Sequence, residues 1–197
     1  NDSTIIQCAG NFFIGASSTV SGIGQLELEG DWLNSGTFTA DSSVVTILGT
    51  TQSVIGGNSA TTFLDLTINN SGDVVLERDV TVTRQLSLEA GQVNLGDSDF
   101  KLGDDFELFT QIGISALVTD GLGEIISTIA NGESQIFPVG NNNYTPITIQ
   151  NDGTSDRFSV QCLPKVLSDG TIGNVFPNDV VSTTWLIEEA VAGGTNA

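Results

Sequence analysis

Four carboxylates crowd one short stretch of this chain: Asp97, Asp99, Asp104 and Asp105 all fall between positions 97 and 105. Clustered turn carboxylates could supply hard oxygen ligands to Ca²⁺, or an acid and a base flanking a glycosidic bond. They match neither the D-x-D-x-D-G calcium loop nor the glycine-rich nonapeptide repeat. Asp in a turn ordinarily bonds the local backbone. Ca²⁺ is therefore the one cofactor the residues suggest, with these four as its weak candidates, and no catalytic or cofactor-binding residue is assigned. The chain contains no His, which removes the commonest general base, the Ser-His-Asp and Cys-His arrangements and most zinc sites. Basic residues are almost as scarce: in the first half they are Arg78, Arg84 and Lys101. Arg78 and Arg84 flank the strand text DVTVT and need not face one cleft, so solvated surface charge is the simpler reading.

Other chemistry-bearing residues read the same way. The pairs Thr37/Thr39 and Thr81/Thr83 could begin a flat ice- or sugar-binding ladder, but two pairs are too few, and strand propensity accounts for them. Trp32 and Trp185 could stack on sugars, yet a single aromatic in a strand pattern is ordinarily core or cap. Cys8 and Cys162 lie 154 positions apart; a disulfide and two buried free thiols are both open.

These residues must be positioned by a chain of 197 residues, 39% hydrophobic, which is enough to bury a core. Twenty-four acidic against five basic residues give a net charge of -19. Nucleic acid and anionic membrane surfaces are bound through Lys and Arg clusters that such a chain lacks, and no apolar run is long enough for a membrane span. No Met occurs anywhere, so the start at Asn1 is expected to be a processed one. A cleaved secretory signal gives an extracellular or cell-surface location; a cut from a longer chain is the alternative.

Between positions 24 and 109 the text is strand vocabulary broken by Gly, Asn, Asp and Ser. Apolar alternations end at Leu28, Ile47, Ile68 and Leu88, with Leu108 next, so the spacing stays at 19 to 21. A second set runs Ile55, Leu76, Leu95 and a third Val82, Leu102. Three short strands per repeat of about twenty residues predict an all-β fold, a right-handed three-faced parallel β-solenoid. An antiparallel sandwich also shows short strands, but it does not require the triple period. Residues 1–23 read as a first coil or N-terminal cap of a solenoid over 1–109. From 110 to 197 the beat is lost and all four prolines occur. Proline confines strands to edges or starts, which predicts an antiparallel β-sandwich-like domain covering the solenoid's end, open to continuation past Ala197.

The succession GDWLNSGTF, TILGTTQSVIGG, TTFLDLTINNSG, VVLERDVTVTRQLSL and GQVNLGDSDFKLG, followed by FPVGNNNYTPITI and Trp185, resembles the repeat-rich cell-surface and secreted proteins of Bacteroidota. The resemblance implies export, commonly by the type IX route, and a role as adhesin, stalk or matrix component; within these 197 residues no C-terminal sorting domain of the expected kind follows Trp185. The expected function is a non-enzymatic structural or adhesive module, partnered by itself as a homopolymer, by neighbouring surface-protein domains or by glycans. A carbohydrate-binding or polysaccharide-degrading β-helix is the alternative.

Overall fold

The structure, a computed structural model, describes residues 5–104, 106–110, 115–141, 143–176 and 183–191. Among these residues it is all β, with no helix. The chain winds so that strands fall in three columns. The first column holds β1 (Ile5–Cys8), β4 (Gln25–Leu28), β7 (Val44–Gly49), the second halves of β9 (Thr61–Asn70) and β11 (Val80–Ala90), and β14 (Glu107–Thr110). The second holds β2 (Phe12–Ile14), β5 (Trp32–Asn34), β8 (Ser53–Gly57), β10 (Val74–Leu76), β12 (Val93–Asn94), β15 (Leu117–Val118) and β18 (Val139–Gly140). In the third, β3 (Thr19–Ser21) pairs with β6 (Thr37–Thr39), and the first halves of β9 and β11 pair with each other and with β13 (Phe100–Leu102) and β16 (Ile125–Ile129). Pairing within each column is parallel, and this is a β-solenoid.

The sequence periods are the pairing register. Leu28 lies beside Ile47, Ile47 beside Ile68, and Ile68 beside Leu88; Ile55 lies beside Leu76 and Val82 beside Leu102. One position shifts: Leu108 pairs with Leu86 rather than Leu88, because the coil entering β14 is two residues longer. Alternate residues point inward and stack on their counterparts, so Leu26, Val45, Leu66 and Leu86 form one buried apolar file and Leu28, Ile47, Ile68 and Leu88 another. Each such side chain contributes about 1.5–3 kcal/mol by burial. Trp32 is the centre of the first coils, fully buried, stacked on Phe12 at 5.0 Å and edge-on to Phe38 and Phe63, its Nε1 donating to Thr61 Oγ1 at 3.1 Å. The indole is thus core.

Residues 5–21 form a first coil that pairs with the next on all three columns. At the other end, parallel pairing runs beyond residue 109, where the lost beat predicts a boundary: β15, β16 and β18 continue the columns. Longer connections hide this in the sequence, since Val93 pairs with Leu117 and Phe100 with Ile125, spacings of 24 and 25. The antiparallel part predicted for 110–197 starts later. It comprises the hairpin of β17 (Glu133–Phe137) with β19 (Ile147–Asn151), and β20 (Asp156–Leu163) with β21 (Thr184–Glu189), which extend the solenoid sheet from β16. Phe137, Phe158 and Val160 join the same core as the coils. The FPVG phrase is the passage from β17 into β18, and Pro138 supplies only its carbonyl, to Leu117 N–H at 2.9 Å, where a missing donor does no harm.

Three buried asparagines turn the corners. Asn34, Asn70 and Asn151 each begin an Asn-x-Gly triplet, and each Oδ1 accepts the N–H of that glycine at 2.8–3.1 Å. Their amide groups donate across the turn or to other strands: Asn34 to Ala60 O and Thr61 Oγ1, Asn70 to Thr51 O and Ser53 Oγ, Asn151 to Ile129 O and Thr154 O. Gly91, at φ 75°, sits directly against the Asn70 carbonyl, where any Cβ would collide. Replacing Asn70 by Ala removes the partner of the buried Ser53 Oγ and of the part-buried Gly72 N–H and Thr51 O. Denaturant unfolding is expected to show Asn70→Ala destabilised by about 1–3 kcal/mol. The exposed neighbour change Asn69→Ala, which loses only a surface bond to Glu89, is expected to stay within about 0.5 kcal/mol.

Candidate functional site

The predicted carboxylates do not converge. Asp97 Oδ1 accepts Leu122 N–H at 3.1 Å, and Asp99 Oδ1 accepts Glu124 N–H at 3.2 Å, while Asp99 N–H donates to Asp79 Oδ1 at 3.0 Å. Each turn aspartate caps a backbone N–H one coil further on. The device recurs at Asp31 toward Val54 and Asp73 toward Gln92. Asp104 lies apart from them, at the mouth of a cleft, and Asp105 falls outside the described residues. Among the described residues no three His, Cys, Asp or Glu side chains come together to hold a metal ion.

The basic residues divide. Arg78 is exposed and donates to the Glu77 carbonyl, as its surface reading predicts. Arg84 instead forms a two-point pair with Asp65 of the preceding coil, whose carboxylate is buried. That hydrogen bond, followed by the attraction of the Asp65 charge, raises the Arg84 pKa above its ordinary value. The pair sits at the bulges of β9 and β11, where the strands bend from third column to first. Lys101 pairs with Asp79 at 3.2 Å, both about half exposed, a contact worth little in water. Thr37 and Thr81 do have coil neighbours, Thr19 and Thr62. The second position of that file reads Ser21, Thr39, Leu64 and Thr83, so the threonine face is mixed. Cys8 is part-buried and Cys162 buried; both are free thiols.

Sequence reading missed a place where, among the described residues, the coil stack opens. The successive coils carrying β14 and β17 pair directly on the second column through β15 and β18, but β14 and β17 themselves do not pair. Two cavities of about 570 and 400 Å³ lie along the opening. Asp104, Phe106, Glu133 and Gln135 line the first; Glu89, Leu108, Phe109, Ile136 and Tyr144 line the second. Phe109 and Ile136 are 50% and 44% exposed. The only sequence signal for this opening is the lengthened spacing after Phe106.

The fold defines the class, a parallel β-solenoid with an antiparallel C-terminal cap. No family model, no curated protein and no solved structure matches the chain.

Tyr144 is the sole tyrosine, and burial in this groove raises its pKa. A phenolate absorbance titration is expected to show a folded-state midpoint above the ordinary value of about 10, returning to it in denaturant. Because burial favours the neutral phenol, its contribution to stability is intact below the unfolded value and is lost as pH rises through the folded one. An unshifted midpoint in the folded protein contradicts the packing described.

Proposed function

We propose that this chain is a non-enzymatic extracellular structural and adhesive module, a cell-surface stalk or filament subunit, as the resemblance to exported Bacteroidota surface proteins implies. One observation carries the reading. The polar groups with chemical potential, Asp31, Asp73, Asp79, Asp97, Asp99 and the buried asparagines, are committed to joining one coil to the next. Such groups stiffen a rod rather than converge on a substrate. The two ends of the ten-stranded sheet, β1 and β21, each have a free edge among the described residues, and Ile5, Ile6 and Phe13 of the first coil are exposed. Free edges beside apolar side chains are where end-to-end assembly or contact with a neighbouring surface domain takes place. Glycans are further partners in this reading, through the exposed faces of Trp185 and Phe109.

Electron micrographs of the purified chain are expected to show ordered fibres or stiff rods. Incubation with acidic and neutral polysaccharides is expected to release no new chain ends. Cleavage that disappears in Asp97→Asn or Asp99→Asn would sink the structural reading and replace it with that of a polysaccharide-degrading β-helix.

A further inference from the structure

The opening between β14 and β17 is bordered by two strands, each with an edge that is unpaired among the described residues. β14 is paired on one side only, to β11, and β17 on one side only, to β19, so among the described residues each turns an unpaired edge toward the other. Their Cα traces run more than 8 Å apart over nearly all their length. That is too wide for a direct pair at about 4.8 Å. Beneath the gap lie Phe106 and Leu108, half-buried on the core, where the files below them are fully covered. Phe109 and Ile136 flank it, exposed. The hairpin with β19 draws β17 away from the stack while β15–β18 pairing holds the same two coils together on the second column.

We propose that this opening is a strand-insertion slot that takes an extended segment of a partner protein, with apolar side chains alternating inward onto Phe106 and Leu108 and basic side chains at the rim. Main-chain bonds to two edges at once give affinity, and the inward pockets give register. Charge selects the partner. Asp104 and Glu133 line one cavity and Glu89 the other, with no Lys or Arg lining either. A second copy is a poor occupant, because a chain with 24 acidic and 5 basic residues brings more negative charge to an acidic rim. The slot deepens the adhesive reading, on which it rests, by naming the partner's chemistry. Fibres or cleavage bear on that reading, while the titration below bears on the slot alone.

The test uses the whole chain and three fluorescent heptapeptides: alternating Lys and Val, the same with Glu for Lys, and the Lys form with its central Val replaced by Pro. The Lys-Val peptide is expected to bind, and the Glu and Pro forms to bind roughly tenfold or more weakly, about the effect of one lost charged or main-chain contact. Hydrogen exchange should slow at the amides of Leu108, Phe109 and residues 134–136. The double change of Asp104→Asn with Glu133→Gln, both exposed sites, should weaken the Lys-Val peptide roughly fivefold. Equal binding of the Pro form overturns the proposal, since it shows attraction to net charge alone. So does protection at β1 or β21 instead of the slot, self-association that protects the slot without peptide, or no binding of the Lys-Val peptide.

Discussion

A parallel ladder between segments about twenty residues apart can close only if each coil returns the chain to the same place, and that return governs the rest of the molecule. Closing a loop of this length carries an entropic cost at every coil. What offsets it is the file of inward side chains, in which Leu28 is covered by Ile47, Ile47 by Ile68 and Ile68 by Leu88. No coil can bury its own inward residues on both sides. Stability therefore belongs to neighbouring coils jointly, as nearest-neighbour terms along a one-dimensional stack. Pairings stay short in sequence even though the fold is all β, so coils can form in succession without a long-range search.

Turning three times per coil takes backbone groups at the corners out of the strand ladder. The chain meets this with two devices on different sides of the wall. Asparagines face inward, and Asn34, Asn70 and Asn151 satisfy the Gly N–H of their own turn and carbonyls elsewhere in the stack at full burial. Aspartates stand outside and accept one backbone N–H from the following coil, as Asp31, Asp73, Asp97 and Asp99 do. A carboxylate outside keeps much of its hydration, whereas one inside must be met by a cation or by hydrogen-bond donors. Two buried carboxylates are met in different ways: Asp65 takes a two-point cation from Arg84, and Asp156 accepts the backbone N–H groups of Arg157 and Val191.

Period and register were readable from residues 24–109 because apolar spacing there equals pairing distance. The continuation beyond 109 was not, because Phe100 to Ile125 and Val93 to Leu117 lengthen the coil without moving the inward residues, and a fixed-period search reads insertion as termination. The aspartates were legible as turn residues, but which N–H each accepts depends on how coils stack. Asn-x-Gly was legible as a turn and hid its burial, since turn text ordinarily means surface. The opening beside β14 leaves no signal beyond the lengthened spacing after Phe106, because it depends on β17 pairing with β19 rather than with the stack.

Charge placement explains how a stack with free edges avoids pairing indiscriminately. Residues 3–26 carry no charged side chain; after Asp2 the next acidic residue is Glu27, and acidic residues then recur along the chain to Glu189. A molecule at -19 repels its copies over about a Debye length, and like charges beside an edge blunt its pairing. The first coil lacks that protection and exposes Ile5, Ile6 and Phe13, while the opposite edge at β21 carries Glu188 and Glu189 next to Ile187. The two edges are therefore unequal in charge: Ile5, Ile6 and Phe13 lie in an uncharged stretch, and β21 carries two glutamates. Among the described residues, the edge at β1 is thus the one that charge guards least.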